Sequence, residues 1–344
     1  MSTSSSRRVP IEAQKVDAPL TSSATFLVVE VAAGTDAADT VRDTISGIDD
    51  LIKNVGFRDL DAQLSCTVGI GARVWPRLTS KPLPVGLHPF TEVAGPKHTA
   101  PSTPGDLLFH IRANRQDLTF ELERQLLGAL GGAVTVVDET TGFRYFDVRD
   151  LLGFVDGTAN PVGNAVAEST LVGDEDPGNA GGSYVVIQKY LHNLDSWHAL
   201  TTEQQETIIG RKKADNVELD DATTGQKSHK TLSTIVVDGV EHDILRDNMP
   251  FGSPGASAFG TYFIGYSRYL WVTEKMLQRM FIGDPPGMYD RILDFSEAVM
   301  GCTFFAPSAD FLGGLADDPG PASPSGPMSV DEYLGLDDTS SPTP

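Results

Sequence analysis

Cysteine is nearly absent: the 344 residues hold Cys66 and Cys302 alone. Two thiols cannot build a metal cluster, and they point to a reducing cytoplasm rather than a disulfide framework. Positive charge is also scarce, with 26 Lys and Arg against 47 Asp and Glu and a net charge of −21. Attraction to nucleic acid or to an anionic membrane needs clustered cations, so neither partner is expected. No apolar run approaches the ~20 residues of a membrane-crossing helix. The stretch MSTSSSRRVPIEAQ pairs arginines with no apolar segment behind them, so neither a Sec nor a twin-arginine leader is expected. These absences suggest a cytoplasmic protein, and 40% hydrophobic residues suffice for a real core.

Several catalytic signatures are missing too. None of the seven histidines pairs at i, i+4 within a helical pattern, and HExxH and CxxC do not occur, which argues against zinc. GxGxxG and GxxxxGK[ST] are absent, and GIGARV (69–74) is a partial echo that reads as a strand end. Without GxSxG, a serine-hydrolase elbow is not expected.

What is present reads as an α+β chain. ATFLVVEVAAG (24–34), LSCTVGIGA (64–72), GDLLFHIRA (105–113) and AVTVVDE (133–139) are strand-like. A helical pattern through Val41, Ile45, Ile48, Leu51, Ile52 and Val55 follows the first, and NRQDLTFELERQLLGALGG follows the third. That order is the split βαβ pattern of a ferredoxin-like domain. The second half repeats it. GGSYVVIQKYLHN (181–193) and GTYFIGYSR (260–268) are strands. TTEQQETIIG (201–210), with a capping-box-like start from Thr202 to Gln205, and VTEKMLQRMFIG (272–283) are helices. We expect an internal duplication into two ferredoxin-like halves, as in dimeric α+β barrels, with antiparallel sheets and peripheral helices. Chance recurrence of common α+β patterns is the alternative. The expected divisions are a flexible terminus at 1–20, halves at 21–150 and 151–315, and a disordered acidic Pro/Ser-rich tail at 316–344.

Two stretches carry candidate chemistry. LLGFVDGTANP (151–161) aims one carboxylate, Asp156, out of an apolar run at a Gly-Thr turn. In KSHKTLSTIVVDGVEHDILRDNMPFG (227–252), Asp238-Gly239 is a strong hairpin signal. If those residues form the turn, positions adding to 477 face each other, pairing His229 with Asn248 and Thr231 with Arg246. Such a histidine facing an arginine and an amide suits a flat cofactor whose iron is held from one side. A structural hairpin with an exposed histidine and arginine is the plainer reading of this stretch alone.

GFVDGT, KSH and ILRDNMPFG together resemble the dye-decolorising peroxidases, in particular their bacterial B-type branch. PGDLLFHIRA, GDEDPGNAGGSYVVIQKY, GTYFIGYSR and MFIGDPPG are similar to further segments of that family, so the likeness runs from roughly residue 24 to 313. The resemblance implies one haem b per chain, bound in the C-terminal half, and hydrogen-peroxide-dependent oxidation of dyes, phenols and other aromatic donors. It implies His229 as the proximal iron ligand, supported by Asp290 or Asp294, between which the sequence does not choose. It implies Asp156 and Arg246 as catalytic groups that promote O–O cleavage, with Asn248 holding water or peroxide beside them. Arg211 matches an arginine that meets a haem propionate, and Leu245 and Phe263 are expected to pack near the ring.

Two departures matter. Ala159 stands where many relatives carry a glutamate, which argues against manganese oxidation at that place. The tail lacks the relatives' encapsulin-loading ending, so EYLGL (332–336) supports loading into an encapsulin shell only as a weak echo. Self-association into homo-oligomers is a further family expectation. Two rival readings stand beside the enzyme: a haem-binding, iron-releasing protein of the deferrochelatase kind, and a non-haem dimeric α+β barrel. A carrier needs neither Asp156 nor Arg246.

Overall fold

Successive side chains of a strand leave on opposite faces, so a strand apolar throughout must be covered on both. Four strands of the first half meet that condition differently. β1 (Ser23–Val31), β2 (Ser65–Ile70) and β3 (Leu107–Ala113) are almost wholly buried. β4 (Val134–Phe143) is largely exposed, as an edge strand can be. The structure, a computed structural model, describes residues 11–222, 224–318 and 320.

The second half contributes β5 (Ser183–His192), β8 (Leu245–Arg246), β9 (Met249–Ser253), β10 (Ala258–Ser267) and β11 (Ser296–Ala306). Between them, β6 (Ile235–Val237) and β7 (Val240–His242) form a separate hairpin. The other nine strands form one antiparallel sheet, ordered β8-β10-β5-β11-β2-β3-β1-β4, with β9 also on β10. Each half therefore runs second-third-first-fourth, the ferredoxin-like order. The halves meet where Phe305 of β11 pairs with Ile70 of β2. The duplication expected from the strand and helix patterns is present as this repeated order.

One face of the sheet closes on itself. Ala24, Phe26, Val28 and Leu108 of the first half pack with Val185, Ile187, Tyr262, Ile264 and Phe304 of the second. Phe26 stacks between His110, at 4.7 Å, and Tyr262, at 4.1 Å. On the other face of the first half, Leu27, Val29, Phe109 and Ile111 are covered by α1 (Thr35–Ser46), α2 (Ile48–Gly56) and α3 (Gln116–Leu130). The expected helix through 41–55 is two helices, broken at Gly47. The corresponding face of the second half is not filled in this way, and that is where the cleft lies.

Three expectations need correction. The capping box of α4 (Thr202–Ile209) uses Thr201 and Gln204, one residue earlier than the pattern suggested. Residues 11–20 are not wholly loose: Gln14 is buried, bonds Val68 through both its backbone groups and donates to the Pro307 carbonyl. At the other end, Thr79 Oγ1 donates to Asp318 at 2.6 Å, so the packed body extends past residue 316. Residues 1–10 and 321–344, including EYLGL, lie outside the described residues.

Phe26→Ala should lower the unfolding free energy by about 3–5 kcal/mol in a denaturant titration, because the surrounding layer is fully buried and relaxes little. A loss below ~1 kcal/mol would mean that the layer repacks.

Candidate active site

Helix α5 (His229–Ser233) begins at Ser228, whose hydroxyl accepts from the Thr231 N–H at its first turn. His229 is therefore the first residue of a helix, not a strand partner. The turn at Asp238-Gly239 does form, with φ of 52° and 79°. Its ladder follows the expected register, Ile235 with His242 and Val237 with Val240, but it stops at three pairs. The pairing of His229 with Asn248 and of Thr231 with Arg246 does not occur, because Ser228 caps a helix before the ladder can extend.

Tertiary packing gathers these residues by another route. His229, Asp156, Arg246, Asn248, Arg211 and Phe263 all line one cleft, which encloses about 1460 Å³ of atom-free space including its open mouth. Leu245 does not line it. It packs with the inner-face cluster, while its neighbours Ile244 and Arg246 line the cleft. Strand alternation explains this correction, since Leu245 and Arg246 must point to opposite faces. Gln188, Tyr190 and His192 of β5 and Thr261 of β10 complete a polar strip that the sequence reading missed. Their alternate spacing was visible, but not which face would stay open.

His229 Nδ1–H donates to Asp290 Oδ2 at 2.7 Å, and Asp290 is fully buried. The other Asp290 oxygen accepts from the Ile292 N–H at 3.1 Å, so this one carboxylate both caps a turn and orients the imidazole. Asp294 instead binds Lys97, His98, Tyr289 and Arg291. Burial pulls the His229 pKa down, and the Asp290 charge and hydrogen bond outweigh it to leave a net rise. With Nδ1 donating, Nε2 carries the ring's lone pair.

The acid of LLGFVDGTANP is held by its own turn. Asp156 Oδ1 accepts from the Gly157 N–H at 2.7 Å, with Gly157 at φ 74°, and from Asn248 Nδ2 at 3.3 Å. Asn160 was not singled out from the sequence, yet its amide clamps Arg246. Its Nδ2 donates to the Arg246 carbonyl at 2.7 Å, and its Oδ1 accepts from the Arg246 N–H at 3.0 Å. The asparagine of GTANP thus ties the acid's loop to the arginine's strand. Arg246 Nε is buried without a hydrogen-bond partner among the described residues, a donor left for something in the cleft. Arg211 is engaged by Glu218 and by the Asn216 carbonyl at 3.3 Å. Burial raises the Asp150 carboxyl to about 7 at the cleft wall.

Family models for Dyp-type peroxidases match this chain twice, the N-terminal model over residues 13–144 and the C-terminal model over 147–311. The chain belongs to the Dyp-type peroxidase family. It is a hydrogen-peroxide-dependent oxidoreductase of that family. It is 52% identical over 328 residues to a dye-decolorizing peroxidase of Mycolicibacterium paratuberculosis, covering 95% of this chain and 92% of that one. A Rhodococcus jostii RHA1 DypB variant solved in complex with heme is 58% identical, with a TM-score of 0.84 over 86% of this chain and 96% of that one. The encapsulated Dyp-type peroxidase of Mycobacterium smegmatis, solved by cryo-electron microscopy, is 53% identical, with a TM-score of 0.85 over 88% and 98% of the two chains. In this Dyp-type peroxidase, no helix among the described residues is long and apolar enough to cross a membrane, and both cysteines are free and buried.

His192 gives this peroxidase an acid-sensitive element. Its ring nitrogens meet the Ser296 and Thr261 hydroxyls, each at 2.9 Å, and burial lowers its pKa from 6.5 to about 4. Between those values the unfolded chain binds a proton that the folded chain does not, so stability falls as pH drops through that window. His192→Gln should flatten this part of the dependence of the unfolding midpoint on pH. A variant curve parallel to wild type from pH 6.5 to 4 would refute it.

Proposed function

We propose that the cleft holds haem b and that the chain uses hydrogen peroxide to oxidise dyes, phenols and other aromatic donors. The observation that carries this reading is the 2.7 Å bond from His229 to buried Asp290, in a cleft that also holds Asp156, Arg246 and Asn248. The donor set fits the group: a lone-pair nitrogen for iron, an unpartnered arginine N–H, and apolar side chains such as Phe154, Ile244, Phe263 and Met276 beside the polar strip. The heme complex of the Rhodococcus jostii relative supports the same cofactor.

His229 Nε2 would hold the iron, while Asp290 keeps the proton on Nδ1 and strengthens the imidazole as a donor. Arg211 would meet a propionate, and Phe263 and Ile244 would pack on the ring. Bound there, haem supplies the redox-active iron at which peroxide is reduced. Asp156 Oδ1 already accepts two N–H groups, so Oδ2 is the oxygen left to take a proton from peroxide and return it to the departing oxygen. The Arg246 guanidinium stabilises negative charge developing there, and Asn248 holds Asp156 in place through Nδ2. Asp156 and Arg246 together favour a peroxidase over a haem carrier, since carrying intact haem uses neither a proton carrier nor a fixed cation in the cleft.

Acidic charge near the cleft mouth would favour cationic over anionic donors at neutral pH, a preference to which the net charge of −21 lends support. Two free cysteines favour the cytoplasm. We divide the chain into two halves near residue 150, a reading supported by the repeated strand order and by family models that end at 144 and begin at 147.

His229→Ala should lose the wild-type ferric haem spectrum, and an unchanged five-coordinate spectrum would remove His229 as the ligand. Asp156→Asn and Arg246→Leu should each lower kcat/KM for peroxide by ~10²-fold. Wild-type values in both would end the assignment of the peroxide-cleaving groups. The encapsulated Mycobacterium smegmatis relative favours shell loading as well. Deleting residues 321–344 should then abolish co-purification with a co-expressed encapsulin, and unchanged co-purification would remove that reading.

A further inference from the structure

Between Arg246 and Asn248 stands Asp247, which points away from the cleft. Its carboxylate accepts from Arg112 Nη1 of β3 at 2.9 Å, and the two side chains are 3% and 0% exposed. Arg112 Nη2 also donates to Thr67 Oγ1 at 3.2 Å and to the Lys15 carbonyl. His110 Nε2 lies 3.9 Å from the same carboxylate oxygen. An ion pair spanning the two halves thus sits directly behind the strand that carries Arg246 and Asn248.

That strand is weakest at this point. Leu245 pairs with Tyr266, Arg246 with Gly265, and Met249 with Tyr262, but the ladder is interrupted at 247–248. The Asp247 N–H still reaches the Ile264 carbonyl at 3.2 Å. The Ile264 N–H turns instead to the Asn248 side chain, also at 3.2 Å. Part of a backbone pairing has been exchanged for a side-chain bond, so the ladder keeps one register on both sides but holds residues 247–248 less firmly. Stability is a poor reason for charges there. Burying a pair costs desolvation that its attraction often fails to recover, and apolar replacements are commonly neutral or better. Arg112 Nε, Asp247 Oδ1 and His110 Nε2 are moreover buried without partners among the described residues.

We propose that Arg112 and Asp247 are a positioning pair, through which the N-terminal half braces residues 247–248 where the ladder is interrupted and so fixes the placement of Arg246 and Asn248 in the cleft. This rests on the reading that Arg246 and Asp156 act on peroxide, with Asn248 holding Asp156 in place.

The test compares wild type, the double variant Arg112→Leu/Asp247→Leu, and Arg246→Leu, all as full-length haem-loaded protein. The double variant should keep its unfolding midpoint and haem content. Its amides at 245–249 should exchange with solvent about tenfold faster. Its kcat/KM for peroxide should fall by ~10- to 100-fold with the KM for the donor unchanged. Wild-type exchange at those amides with wild-type peroxide kinetics would reduce the pair to filler between the halves and overturn the proposal. Should the double variant not fold, Asp247→Asn keeps the shape and loses the charge. It should show the same local increase in exchange, and wild-type exchange there overturns the proposal equally. Arg246→Leu reports separately on the reading beneath: unchanged peroxide kinetics in that variant would remove the role of Arg246, while amide exchange in the double variant still decides the brace.

Discussion

Because alternate side chains leave a strand on opposite faces, one sheet can seal a core and wall a reaction site with the same residues' neighbours. The rest of this molecule depends on that constraint. The inner face joins the halves through Phe26, Tyr262 and their neighbours, a layer of buried side chains. The outer face is covered by helices in the first half and opens as the cleft in the second. In the run from Ile244 to Met249, Leu245, Asp247 and Met249 serve the inner layer, while Ile244, Arg246 and Asn248 serve the cleft. A shift of one residue would exchange the two sets.

Charge is arranged accordingly. The chain is strongly acidic overall, yet its fully buried charges come with specific partners: Asp290 with His229, and Asp247 with Arg112. Each pairing joins segments distant in sequence, 61 and 135 residues apart. Asn160 does the same with uncharged groups, holding the Arg246 backbone from 86 residues away. Polar groups that would be costly to bury alone thus hold separate segments to one arrangement.

The duplicated α+β architecture was legible because strand and helix periods are local properties, and both halves carry them. The motif residues of the site were legible through family resemblance, and Asp156, Arg211, His229, Arg246, Asn248 and Phe263 do line one cleft. A hairpin extended from Asp238-Gly239 would group similar residues, but His229 stands on a capped helix and not on an extended strand. Leu245 was misplaced because apolarity says nothing of which face a strand residue takes. Asn160 and Asp247 escaped notice because each acts through a partner that no local pattern reveals.

The sequence by itself determined the turns, the helix caps, the alternation within each strand and the chemical repertoire: an acid in a tight turn, an imidazole, an arginine flanked by an acid and an amide. These depend on neighbours a few residues away, whose sterics and hydrogen bonds act before any tertiary contact exists. Only the tertiary structure decided which carboxylate supports His229, which face of β5 and β10 stays open, and which buried cation faces Asp247. Those outcomes turn on contacts between segments far apart in the chain, where distances of a few ångströms separate a hydrogen bond from no interaction at all.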